Sequence, residues 1–137
     1  MNPDRPFDLS PVQTALARRL AVLIPAGLLT KAYRGPFQAW VAGSLGGVLY
    51  EIFWIWVVSF FFPRWRTWII AASVLALTSL LEAGQLWHPA FLVSVRKSFI
   101  GRTLIGTSFA WLDFPHYIIG CAIGAAWIGR LKKKTIP

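Results

Sequence analysis

Trp40 to Phe62, WVAGSLGGVLYEIFWIWVVSFFF, decides the fold: 23 residues carry a single charge, Glu51, and the run opens and closes on aromatic rings. About 20 apolar residues make one helical crossing of a bilayer, and Trp and Tyr ends suit its interfaces. Working outward, the same pattern recurs before and after it. A first span is expected from Val12 to Tyr33, started by Ser10 as N-cap and Pro11 at the first helical position, with Pro25 inside. A third is expected from Trp68 to Trp87, ended by His88 and Pro89, and a fourth from Asp113 to Leu131. Ala90 to Thr107 is punctuated by Arg96, Lys97 and Arg102, so it reads as an interfacial amphipathic or re-entrant connection. The expected fold is an all-α membrane protein, a four-transmembrane-helix bundle with that short segment between its third and fourth spans. A flexible tail (1–11), one integral membrane domain (12–131) and a basic C-terminal tail (132–137) complete the division. Leu20 to Leu29 has the length of a secretory signal core, but no small-x-small site follows and Lys31 and Arg34 come next, so a retained helix is expected.

Composition agrees. The 137 residues are 56% hydrophobic, with eight Trp and ten Phe, and the mean hydropathy is +0.57. A soluble domain is roughly half apolar and could not hide the surplus. The net charge of +9 would suggest nucleic acid in a soluble chain. Here all 14 basic residues fall in tails, connections or span ends, where they act as topology signals, and nucleic acid is not an expected partner. Nine of them (Arg5, Arg18, Arg19, Arg64, Arg66, Arg130, Lys132, Lys133, Lys134) share the side of both termini and five lie opposite, which puts both termini in the cytoplasm. The lone cysteine, Cys121, sits in an apolar run and offers neither a disulfide framework nor a metal set.

The acids do the reverse of the bases. Beyond residue 8 there are three, Glu51, Glu82 and Asp113, each inside or at the end of an apolar segment. A carboxylate in hydrocarbon costs several kcal/mol unless it is paired, solvated or protonated, so an internal polar site is expected. Helical spacing says what can meet there. Asp113, His116, Tyr117, Gly120 and Gly124 form one stripe, and Gly43, Gly47, Tyr50, Glu51 and Trp54 form another. Each stripe holds a Gly-x-x-x-Gly step, which lets helix backbones approach closely in lipid, so the second and fourth spans are expected to pack together. Glu82 and Gln85 add a third polar face.

Glu82-x-x-Gln85, a basic connection with Arg102, then Asp113 followed by Tyr117, Gly120 and Gly124 resemble the motif series of VanZ-like small bacterial multi-pass membrane proteins. Closer still is a related family catalogued as a domain of unknown function, which the chain resembles in Gly47–Glu51, Glu82–Trp87, Gly101–Gly106 and Trp111–Asp113. The resemblance runs from the first span to Gly129 and implies a bacterial inner-membrane location and this architecture. It departs from the VanZ-like pattern at Tyr117, where those proteins usually carry Asn, so a shared ligand is not implied.

The working reading is a non-enzymatic binder of an anionic lipid or lipid-linked amphiphile at the outer membrane face. Arg96, Lys97 and Arg102 would hold the headgroup, and Glu51, Glu82, Gln85, Asp113, His116 and Tyr117 would set the polar pocket. Two alternatives stay open. One is a membrane-embedded hydrolase or transferase using Glu82, His116 and Asp113, although no nucleophile elbow, His-Glu-x-x-His pair or Gly-rich phosphate loop is present. The other is an accessory subunit of a larger membrane complex, or a homo-oligomer. No metal or cofactor is expected, with a bis-His haem between His88 and His116 as the alternative. Each residue also has a plainer role: Asp113 as a helix cap, Glu51 as hydrogen-bonding glue between helices, the basic residues touching bilayer phosphates.

Overall fold

The computed structural model describes residues 9–105 and 109–135, all helix and connecting segments with no strand among them. Most of the expected N-terminal tail, residues 1–8, lies outside the described residues, as do Gly106 and Thr107. Helix α1 (Pro11–Ala32) begins with a capping box: Gln13 N donates to Ser10 Oγ at 3.3 Å and Ser10 N to Gln13 Oε1 at 2.9 Å. The Gln13 amide also donates to Phe60 O at 2.9 Å, which pins the start of α1 to the end of the next long helix and makes the two antiparallel.

That next helix is a continuous rod in three parts: α2 (Gln38–Trp40), a π-helical turn (Val41–Leu45) and α3 (Gly46–Phe61). The chain reaches it through Phe37, whose φ of 59° is left-handed and follows Gly35 and Pro36. At about 1.5 Å per residue the 24 residues of the rod exceed the roughly 30 Å of a hydrocarbon core. Phe62 and Trp65 stack at 4.6 Å in the turn leading to α4 (Thr67–Gly84). Two short helices follow, α5 (Ala90–Lys97) and α6 (Phe99–Leu104), and then α7 (Asp113–Thr135). Ser98 separates the short pair, its hydroxyl accepting from Gly101 N at 2.9 Å.

Three elements, α1, the Gln38–Phe61 rod and α4, are long and apolar enough to cross a membrane. This is an integral membrane protein. Of the four spans expected, the fourth, α7, falls short on apolarity. It carries Asp113, His116 and Arg130, and its inner stripe, Tyr117, Gly120, Cys121, Gly124, Ile128 and Leu131, is small or polar over its first two turns. Other boundaries shift: α4 stops at Gly84 rather than Trp87, and α7 runs on through Lys132–Lys134, so the basic end is helical.

α7 lies against α3 and α4, and α3 also takes α1. Gly120 is the tightest point: a Cβ there would sit 2.7 Å from both Glu51 Cβ and Val48 O. Gly124 lies over Ile52 and Ile55 in the same way. Leu16, Ile52, Ile55, Trp56, Ile70, Val74, Cys121 and Ile128 fill one half of the bundle, where α1 and α4 begin. Among the described residues no Cα of α1 comes within 8 Å of one of α4 along either helix, and toward the other half the space between them is unfilled.

Candidate functional site

The space left between α1 and α4 is a cavity of about 380 Å³. Its walls come from the last turns of α1 (Leu23, Ile24, Gly27, Leu28, Lys31), the π-turn and first half of α3 (Gly43, Gly46, Gly47, Tyr50, Phe53), and the end of α4 (Thr78, Leu81, Glu82, Gln85). Arg102 to Ile105 and the start of α7, Asp113 and Tyr117, close its end. Every wall belongs to the same half of the bundle. Apolar side chains line its sides and charged ones its end.

Glu82, 1% exposed, organises that end. Its Oε1 accepts from Ala110 N at 2.7 Å, and its Oε2 accepts from Gln85 Nε2 at 2.8 Å and Tyr117 Oη at 3.0 Å. One carboxylate thereby ties α4, the segment before α7, and α7 together. All three donors are neutral, in place of the Arg partner that an internal ion pair would need. Carboxylates held by several oriented donors are anchored without a counter-ion, and each charge-assisted bond is stronger than a neutral one. Gln85, 5% exposed, spends its second N–H on Ile105 O at 3.1 Å, leaving Oε1 buried without a partner among the described residues.

The α5–α6 pair is held over this end by side chains. Arg96 donates to Trp87 O at 3.1 Å and Gly84 O at 3.2 Å, Tyr50 Oη donates to Leu104 O, and Gln85 holds Ile105. The expectation of Arg96 on lipid headgroups is corrected by this contact. Its guanidinium is buried at the C-terminus of α4, where carbonyls lack helical partners and the helix dipole favours a cation. Lys97 is exposed on α5, and Arg102 reaches the cavity wall.

Glu51 lies deeper and off the wall, wholly buried. Cys121 Sγ donates to its Oε2 at 3.1 Å, Thr78 faces it from α4, and its Oε1 has no partner among the described residues. Setting Cys121 aside as offering neither a disulfide framework nor a metal set misses this, although Tyr117 and Cys121 are four apart on one stripe. His116 is also absent from the wall: its Nδ1 lies 2.6 Å from Leu112 O. His88 is exposed in the link after α4. Of the glycines expected at helix contacts, Gly47, Gly120 and Gly124 lie between α3 and α7. Gly43 instead borders the cavity, and a Cβ placed on it would meet nothing within 4 Å.

Sequence reasoning overlooks Lys31. It donates from Nζ to Ala42 O in the π-turn at 2.8 Å and lines the cavity, as Asp113 does. The signal that could have found it is its place, the first cation after an apolar run.

Apolar crossing helices around hydrogen-bonded buried carboxylates define a small polytopic helical membrane protein. The chain belongs to the family described as Protein of unknown function (DUF2809), whose family model matches residues 37–121, from the start of the α2–α3 rod to Cys121. The match takes in Tyr50, Glu82, Gln85, Arg102, Asp113 and Tyr117 and leaves out α1 with Lys31. No solved structure matches the chain.

Proposed function

We propose that the chain is a non-enzymatic protein of the bacterial cytoplasmic membrane that recognises an anionic lipid or lipid-linked amphiphile at the outer face. In this reading α7 is a fourth crossing, and both termini are cytoplasmic, as the distribution of basic residues favours. Residues 12–131 act as one membrane domain. The kinship with VanZ-like proteins belongs to the same proposal and rests on the order and spacing of Glu82, Gln85, Arg102, Asp113, Gly120 and Gly124.

The observation that carries the reading is the cavity between α1 and α4. Lys31 and Arg102 stand at its end, while Leu23, Ile24, Leu28, Phe53 and Leu81 line its sides. Binding sites for amphiphiles need such a division: cations for the head and an apolar slot for the chains, reached sideways from the bilayer. Lys97, exposed on α5 beside the same end, adds attraction for an anionic surface.

Native mass spectrometry of the detergent-purified chain tests this. Phospholipid adducts are expected on the wild type, and the Lys31→Gln, Arg102→Gln pair should weaken their retention about tenfold. A folded wild type that retains no lipid would remove the reading. Bound metal, with turnover lost in Glu82→Gln, would favour a hydrolase or transferase working through Glu82, His116 and Asp113. Stoichiometric copurifying subunits would favour the accessory role.

A further inference from the structure

The charged end of the cavity is not uniformly positive. Lys31 and Arg102 face it, but so does Asp113, whose carboxylate accepts no hydrogen bond among the described residues. Both N–H groups of the Gln85 amide are committed, to Glu82 Oε2 and Ile105 O, and its Oε1 is enclosed by protein, so Gln85 offers an occupant nothing. A headgroup bearing only negative charge would satisfy Lys31 and Arg102 while adding repulsion at Asp113.

Resting on the proposed function above, we infer that the occupant's headgroup is an aminoalkyl phosphate, its phosphate held by Lys31 and Arg102 and its primary ammonium by Asp113. A primary ammonium brings both the positive charge and the N–H donors that a carboxylate accepts. A trimethylated ammonium keeps the charge but has no N–H, and a glycerol headgroup keeps hydroxyl donors but no positive charge. The apolar sides of the cavity favour a lipid over a free phosphate ester as the source.

The test is competition, read by native mass spectrometry of the full chain with phosphatidylethanolamine, phosphatidylcholine and phosphatidylglycerol of identical acyl chains at equal concentration. Phosphatidylethanolamine is expected to be retained about tenfold over each of the others. Asp113→Asn, chosen because it keeps the size of the side chain and removes its charge, should bring the ethanolamine-to-glycerol ratio near one while total lipid retention persists. Soluble phosphoethanolamine at the same concentration should leave the adduct in place. Equal retention of the three lipids by the wild type, or an unchanged ratio in Asp113→Asn, overturns the inference and leaves the proposed function standing. Displacement by soluble phosphoethanolamine overturns the lipid source. Retention of none of the three lipids removes the proposed function itself.

Discussion

At the scale of single residues, Glu82 shows how a carboxylate is kept inside an apolar bundle. Its two oxygens take three bonds, from Ala110 N, Gln85 Nε2 and Tyr117 Oη, so removing one donor should weaken the protein measurably. Tyr117→Phe is expected to cost about 1–3 kcal/mol, and Glu82→Gln more, because the amide must turn an N–H toward one of the existing donors. Thermal unfolding in detergent checks both, and the order Glu82→Gln below Tyr117→Phe below wild type is the signature. Glu51 makes one bond where Glu82 makes three. Glu51→Gln should therefore stay within about 1 kcal/mol of wild type and insert normally, whereas Glu51→Lys places a longer charged chain beside Gly120 and should prevent accumulation of the folded protein. Equal yield and stability of the two variants would contradict the packing described. The three acids could be picked out of the sequence because a charge in an apolar run stands out. Lys31 and Arg96 could not, because long basic side chains near span ends are expected to extend toward headgroups. Here backbone carbonyls, of Ala42 in the π-turn and of Gly84 and Trp87 at and beyond the end of α4, draw them inward.

At the scale of elements, the π-turn decides which glycines do what. Ideal helical periodicity puts Gly43 and Gly47 on one stripe with Glu51, but five residues of π-helix from Val41 to Leu45 change the turn angle and rotate Gly43 off that face. Nothing in the local sequence announces such a turn. The consequence is a clean contrast: Gly120→Ala forces α3 and α7 apart and should cost about 1–3 kcal/mol, while Gly43→Ala, with open space around it, should not lower the unfolding temperature. The α5–α6 strap offers a second check. It is held largely by Arg96, Gln85 and Tyr50, so Arg96→Met should raise hydrogen exchange across residues 90–104 and leave the exchange of α1 unchanged. The amphipathic character of this segment was legible from its punctuating cations. Its fold back onto the end of α4 was not, since that depends on a contact twelve residues away between Arg96 and Gly84.

At the scale of the whole molecule, two halves differ. The half holding Leu16, Ile55, Ile70 and Ile128 is packed solid, each of those side chains wholly buried, and the half toward the ends of α1 and α4 is hollow. A photo-crosslinking amino acid at Leu28 or Leu81, on the cavity wall, is expected to capture acyl chains, and one at Ile128, in the packed half, to capture protein only. The number of long helices could be read from apolar runs. The centrality of α7 could be read only from its stripe of Gly and polar residues, because a helix surrounded by protein does not need the apolarity of one bathed in lipid.

Sealing one half has a consequence for traffic. On the proposed reading, an amphiphile admitted sideways between α1 and α4 meets a plug of Ile and Leu before it reaches the opposite surface, and it would leave through the gate by which it came. Such a protein would take the census of a single leaflet without turning its guest over to the other.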